Sequence, residues 1–190
     1  MRHSRRFLIL TAAVLVSALS VTSAFATSVH FKRGGIPTCT ISGSGTSSTS
    51  TSCTGTVAGL GGGDIVIETI ASGSAVYQCQ NNGGQTAAGQ NRVLEGPVTA
   101  PTSITGDEVK NGNLTFHSVA AVLEAEATVS GQAAGCPNPN WTGVNPTLTV
   151  TDVTLNFYQP ANTLVFTCTA HNASGLPSTF TFSASQCTFS

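Results

Sequence analysis

Outside the arginine-rich N-terminal stretch, His30, His117 and His171 are the side chains best suited to move protons near neutral pH. A Ser-His-Asp hydrolase needs such a base within hydrogen-bond reach of a nucleophile, with an acid to orient it. Asp64, Asp107 and Asp152 are available acids and serine is abundant, but the chain has no Gly-x-Ser-x-Gly elbow and no Ser-x-x-Lys motif. The strand patterns place His171 at the polar end of a strand and His117 on an outer face, so solvent-exposed histidine is the expected role. Glu124 and Glu126 lie two apart and would share one strand face. Paired carboxylates can serve glycosidic chemistry, but a solvated face is the simpler expectation. Asp107 and Glu108 sit in a Gly- and Asn-rich stretch that fits no EF-hand spacing. No catalytic residue, metal ligand or cofactor is therefore assigned.

The residues that suit binding are amides and one indole. Asn81, Asn82 and Gln85 fall in the polar stretch Asn81 to Asn91, and Asn138 and Asn140 flank Trp141, the only tryptophan. Amide side chains match carbohydrate hydroxyls, and an indole can stack on a sugar ring. The alternative is that Trp141 packs over a sheet end.

These groups need a scaffold, and the six cysteines indicate which kind. Cys39, Cys53, Cys79, Cys136, Cys168 and Cys187 form an even set without any Cys-x-x-Cys spacing, which argues for three disulfides and against zinc or redox chemistry. A sequential pairing is expected: 39 with 53, 79 with 136, and 168 with 187. The first and third would join neighbouring strands, and the second would pin two Asn- and Gly-rich loops. Arg2, Arg5 and Arg6, the apolar run Phe7 to Val16 and the small-x-small end at Ala26 read as a secretory signal, residues 1–26. The apolar run is too short to span a bilayer. After its removal, Lys32, Arg33, Arg92 and Lys110 stand against eight acids, a net charge of −4 (4 − 8). Such a chain offers no basic footprint for nucleic acid or anionic lipid. Charged residues make up only 8% of the sequence, and Thr, Ser, Gly and Asn replace them, as in secreted all-β proteins.

Periodicity supplies the elements. From Thr147 to Cys187, apolar residues alternate with polar ones through Leu148, Val150, Val153, Leu155 and Phe157, then Leu164 to Ala170, then Phe180 to Ala184. This predicts three consecutive strands, closed by the Cys168–Cys187 bond. The parity flips across Thr151 and Asp152, as a β-bulge requires, and Gln159-Pro160-Ala161-Asn162 is a turn. Strands are also expected at Ile36 to Ile41, Thr51 to Ala58, Asp64 to Ile70, Ser74 to Gln80, Arg92 to Ala100 (an edge, because of Pro97) and Leu114 to Val119. The glycines after Ala58 make a tight turn and not a phosphate loop. Asn81 to Asn91 reads as a long polar loop and Gly135 to Pro146 as irregular. Ala120 to Val129 has helical propensity but alternates like a strand, and strand is the expectation. Residues 27–35 read as a flexible lead-in and 36–190 as one domain. Eight to ten short strands without a helix predict an antiparallel β-sandwich, immunoglobulin-like or jelly-roll, stapled by disulfides.

Pro37-Thr38-Cys39-Thr40, Ala58-Gly59-Leu60-Gly61, Gln85 to Asn91 and Ala134-Gly135-Cys136-Pro137-Asn138-Pro139-Asn140-Trp141 together resemble a family of small exported proteins of high-GC Gram-positive bacteria. The resemblance covers most of residues 27–190. It implies export and a β fold, and it brings no activity and no functional residue with it.

The expected protein is thus a secreted, non-catalytic binding or envelope-associated module, its partner a cell-wall or other glycan. A small extracellular hydrolase using one of the histidines is the rival. An inhibitor or ligand-carrying apoprotein is a third possibility with no sequence feature of its own.

Overall fold

Nearly every stretch of alternating Thr, Ser and apolar residues becomes a strand with its apolar members facing inward. A computed structural model describes residues 28–190, so the secretory signal expected at 1–26 lies outside the described residues. The strands are β1 (His30–Phe31), β2 (Thr38–Ser42), β3 (Ser48–Ala58), β4 (Ile65–Gln80), β5 (Thr86–Ile104), β6 (Asn113–His117), β7 (Ala121–Glu124), β8 (Val129–Ser130), β9 (Thr142–Tyr158), β10 (Leu164–His171), β11 (Thr179–Thr181) and β12 (Cys187–Phe189). All pairings are antiparallel, in two sheets. The first sheet is centred on β3, with β1 and β2 along one side, β6 and β7 along the other, and β11 beyond β2. The second runs β12-β10-β9-β4-β5, with β8 on the start of β9. The two sheets pack face to face as a sandwich.

The core between them is richest in aromatics at one end. Phe166 stacks on Phe157 at 5.0 Å and meets Phe31 edge-on at 4.9 Å, while Phe116 reaches Phe157 across the sheets at 6.0 Å. Gly55 makes room for this, since a Cβ there would lie 2.9 Å from the Phe116 ring. The sheets are also joined by a buried hydroxyl relay: Thr69 Oγ1 donates to Ser118 Oγ at 2.7 Å, and Ser118 Oγ accepts from Cys53 N at 2.8 Å. Thr49, Thr51 and Ser74 carry buried hydroxyls with no partner among the described residues. All three expected disulfides are formed, Cys39–Cys53, Cys79–Cys136 and Cys168–Cys187. The first and third link directly opposed residues of neighbouring strands.

Several expectations need correction. The two strands expected at Asp64 to Ile70 and Ser74 to Gln80 are the single strand β4. The small residues Ala71-Ser72-Gly73 between them form a bulge, where Gly73 is required because a Cβ would lie 2.2 Å from Thr149 O. Its counterpart on β9 is the extra residue Thr151, where the parity flip predicts a bulge. The loop expected at Asn81 to Asn91 closes by Gln85; Thr86 onward pairs with β4, whose backbone template outweighs the polar composition. The three-strand sheet expected from Thr147 to Cys187 holds only for β9 and β10. The third strand, β11, crosses to the first sheet beside β2, and β12 takes the place next to β10. Ala120 to Val129 is strand over Ala121–Glu124 and again at Val129, where β8 begins. A short helix at Gly131–Ala134 was not expected, although its ends carry the usual signals: Ser130 Oγ accepts from Ala133 N, and Gly135 follows at φ 68°. Within residues 27–35, His30–Phe31 pairs with Ala58 and Val57 as β1. No helix among the described residues is long and apolar enough to cross a membrane.

Candidate functional site

The sandwich brings the two amide-rich stretches to the same end. β4 ends at Gln80, whose register partner on β9 is Thr142, so the turn Asn81 to Gln85 and the loop Pro137 to Trp141 emerge side by side. The Cys79–Cys136 bond locks them together. It joins a buried strand residue to the second residue after the short helix, rather than two loops. Gly131 and Gly143 let the chain close here: a Cβ on Gly131 would lie 2.3 Å from Trp141 O, and one on Gly143 2.6 Å from the Val129 side chain.

The structure separates the candidate amides into two kinds. Asn81 is used internally: its Oδ1 accepts from Gly83 N at 2.9 Å and Gln85 N at 3.0 Å, and its Nδ2 donates to Gln85 Oε1 at 3.2 Å. Asn138 Oδ1 likewise accepts from Asn140 N at 2.9 Å, and Asn138 O accepts from Trp141 N. These residues shape the turns. Asn82 and Asn140 are exposed, and their side chains make no hydrogen bond among the described residues. Trp141 is partly buried and packs against the edge of the core, leaving part of its ring open. The end of the sheet thus presents one indole and two free amides on a braced frame.

Histidine chemistry is placed elsewhere. His171 Nδ1 lies 2.5 Å from Asp152 Oδ1 on opposed residues of β10 and β9. Burial alone would raise the Asp152 carboxyl. Hydrogen bonds from Thr151 and His171, the imidazole's charge and a hydrogen bond from Ser72 outweigh that and hold it below the usual Asp range. The pair is exposed on the sheet surface, the two side chains being 68% and 45% accessible. No serine or threonine hydroxyl bonds the imidazole, and His171 makes no second hydrogen bond among the described residues. His30 Nδ1 approaches Ser28 O, and His117 ends β6 exposed. Asp64 Oδ1 accepts from Gly106 N, a structural contact. Glu124 and Glu126 do not share a strand face, because β7 stops at Glu124. No group of three or more metal-ligating side chains gathers among the described residues, and Asp107 and Glu108 lie in a short 3-10 turn.

Sequence reasoning passed over two features. One is Tyr77, a buried β4 residue whose hydroxyl lies 3.2 Å from Glu95 Oε1 and 3.0 Å from Glu126 O. Burial, the Glu95 charge and hydrogen bond, and the Glu126 charge push its phenol up to about 12. The other is the pair Gln78 and Asn145, where Asn145 Nδ2 donates to Gln78 Oε1 at 3.1 Å. Asn145-Pro146 inside a strand pattern was the available signal, because Asn tolerates positive φ and Pro interrupts a ladder. No protein-family model, no curated protein and no solved structure matches the chain.

Proposed function

We propose that the chain is a secreted, non-catalytic binding module of immunoglobulin-like or jelly-roll type, from the family of exported bacterial proteins that its motifs resemble. On this reading, the end formed by Asn82, Asn140 and Trp141 holds a cell-wall or other glycan. The observation that supports it is the convergence of the 81–85 turn and the 137–141 loop on adjacent strand ends, braced by Cys79–Cys136. Three disulfides suit an oxidising compartment, where such a ligand would be met. Aromatic stacking supplies contact area at little entropic cost, and braced amides lose little freedom on binding. Truncation of Trp141 to Ala should abolish retention on purified glycan while the protein still unfolds cooperatively. Unchanged retention would rule the site out.

The Asp152–His171 pair favours a second reading, a small hydrolase with the imidazole as base. Hydrolytic activity lost on replacing His117 and His171 together would support it, and activity that survives would remove it.

A further inference from the structure

The reading above leaves unused a shallow groove of about 540 Å³ along β9, lined by Gly45, Ser47, Gln78, Ala125, Ala127, Asn145, Pro146 and Thr147. We propose that this groove receives the acetamido group of an N-acetylated amino sugar; the proposal rests on the glycan-binding reading and names the sugar class.

The argument starts from a bulge. Between Val76 and Gln78 of β4, β9 spends one extra residue, pairing first Thr147 and then Val144. Asn145 takes up that excess at φ 50°, an uncommon conformation for a residue other than glycine, and so comes beside Gln78. Backbone outliers of this kind concentrate at functional sites. One hydrogen bond joins the two amides, both of them exposed. It leaves the Gln78 Nε2 protons and Asn145 Oδ1 without partners among the described residues. The groove therefore holds a donor next to an acceptor.

An acetamido group carries one carbonyl acceptor, one N–H donor and one methyl. Gln78 Nε2 can donate to the carbonyl, Asn145 Oδ1 can accept from the N–H, and Ala125, Ala127 and Pro146 offer apolar contact to the methyl. No charged side chain lines the groove, so a carboxylate or phosphate would find no counter-charge there. Asn145 follows Trp141 by four residues of β9, about 13 Å along an extended strand. That spacing is within the length of a short glycan chain.

The experiment is a titration of the oxidised protein with two neutral tetrasaccharides of the same linkage, one of N-acetylglucosamine and one of glucose. They differ at C2, where an acetamido replaces a hydroxyl. The proposal expects the acetamido tetramer to bind about tenfold or more tightly, a gap of about 1.4 kcal/mol. The preference should vanish in Gln78→Ala and in Asn145→Gly, the second of which keeps the backbone conformation relaxed. Thermal unfolding of both variants checks that they fold. Equal binding of the two tetramers overturns the acetamido assignment and leaves the glycan reading standing. A preference that survives both substitutions overturns the groove as its site. Binding of neither tetramer overturns this proposal, and if the protein also fails on isolated cell walls the glycan reading falls with it.

Discussion

The same two long strands, β4 and β9, build two halves of unlike character. From Val66 opposite Tyr158 to Ser72 opposite Asp152 their register is unbroken, and Ile65, Ile67, Leu155 and Phe157 are buried beneath the phenylalanine cluster. Beyond the bulge at Gly73 the register slips again between Val76 and Gln78, and turns and loops crowd the end. The first half has regular pairing and aromatic packing, and it needs no ligand to explain its side chains. The second half holds the braced turns, the positive-φ Asn145 and Trp141, which packs on the core edge and stays partly exposed. The aromatic packing is concentrated in the first half and the candidate binding residues in the second.

That division makes Phe166→Ala the most damaging change. Phe166 is fully buried and touches Phe31, Phe157 and Phe189. Its loss should cost about 3–5 kcal/mol in denaturant titration. Glycan preference measured on the protein that remains folded should not change, and a shift in preference would break the division. Next comes replacement of Cys79 and Cys136 by Ser. The bond closes a sequence separation of 57, against 14 for Cys39–Cys53. Chain entropy then predicts a loss of about 4 kcal/mol, roughly 1 kcal/mol more than for the shorter loop. The reverse order would mean that Cys79–Cys136 matters for positioning the end and not for closing the chain.

What the sequence revealed follows the same line. Period-two alternation located β9 and β10 because each buries one face, and the parity flip at Thr151-Asp152 marked a bulge that is present. The pairing of all six cysteines was legible because neighbours in sequence were neighbours in space. Sheet membership was not, because Phe180 alternates equally well in either sheet, and only the route of the chain after Gly175 puts it beside Cys39. Thr86 to Asn91 looked like a loop because backbone pairing to β4 leaves no mark on side-chain composition. At the candidate site, Trp141 and the amides stood out by type. Which amides are free depended on Asn81 and Asn138 closing their own turns, a contact that composition does not encode.

A smaller effect has the opposite sign. Thr51 Oγ1 is fully buried without a partner among the described residues, so Thr51→Val should stabilise the protein by about 1 kcal/mol. A loss of stability would show that the hydroxyl is satisfied in solution. The last prediction concerns alkaline pH. The Tyr77 phenol is raised from 10.0 to about 12, so the folded state holds that proton more tightly than the unfolded chain. Its contribution is complete below pH 10 and is lost as pH rises through 12. Tyr77→Phe should flatten the fall in melting temperature across that window. An unchanged slope would assign the fall to other groups, such as Tyr158, whose phenol is raised by burial and by Glu68.

The most direct test of the division is retention of the oxidised protein on isolated bacterial cell walls, titrated to saturation beside a reduced sample. The account predicts saturable retention that reduction abolishes, because Cys79–Cys136 holds the amide-rich end in place. No saturable retention by the oxidised protein, or equal retention after reduction, would contradict it.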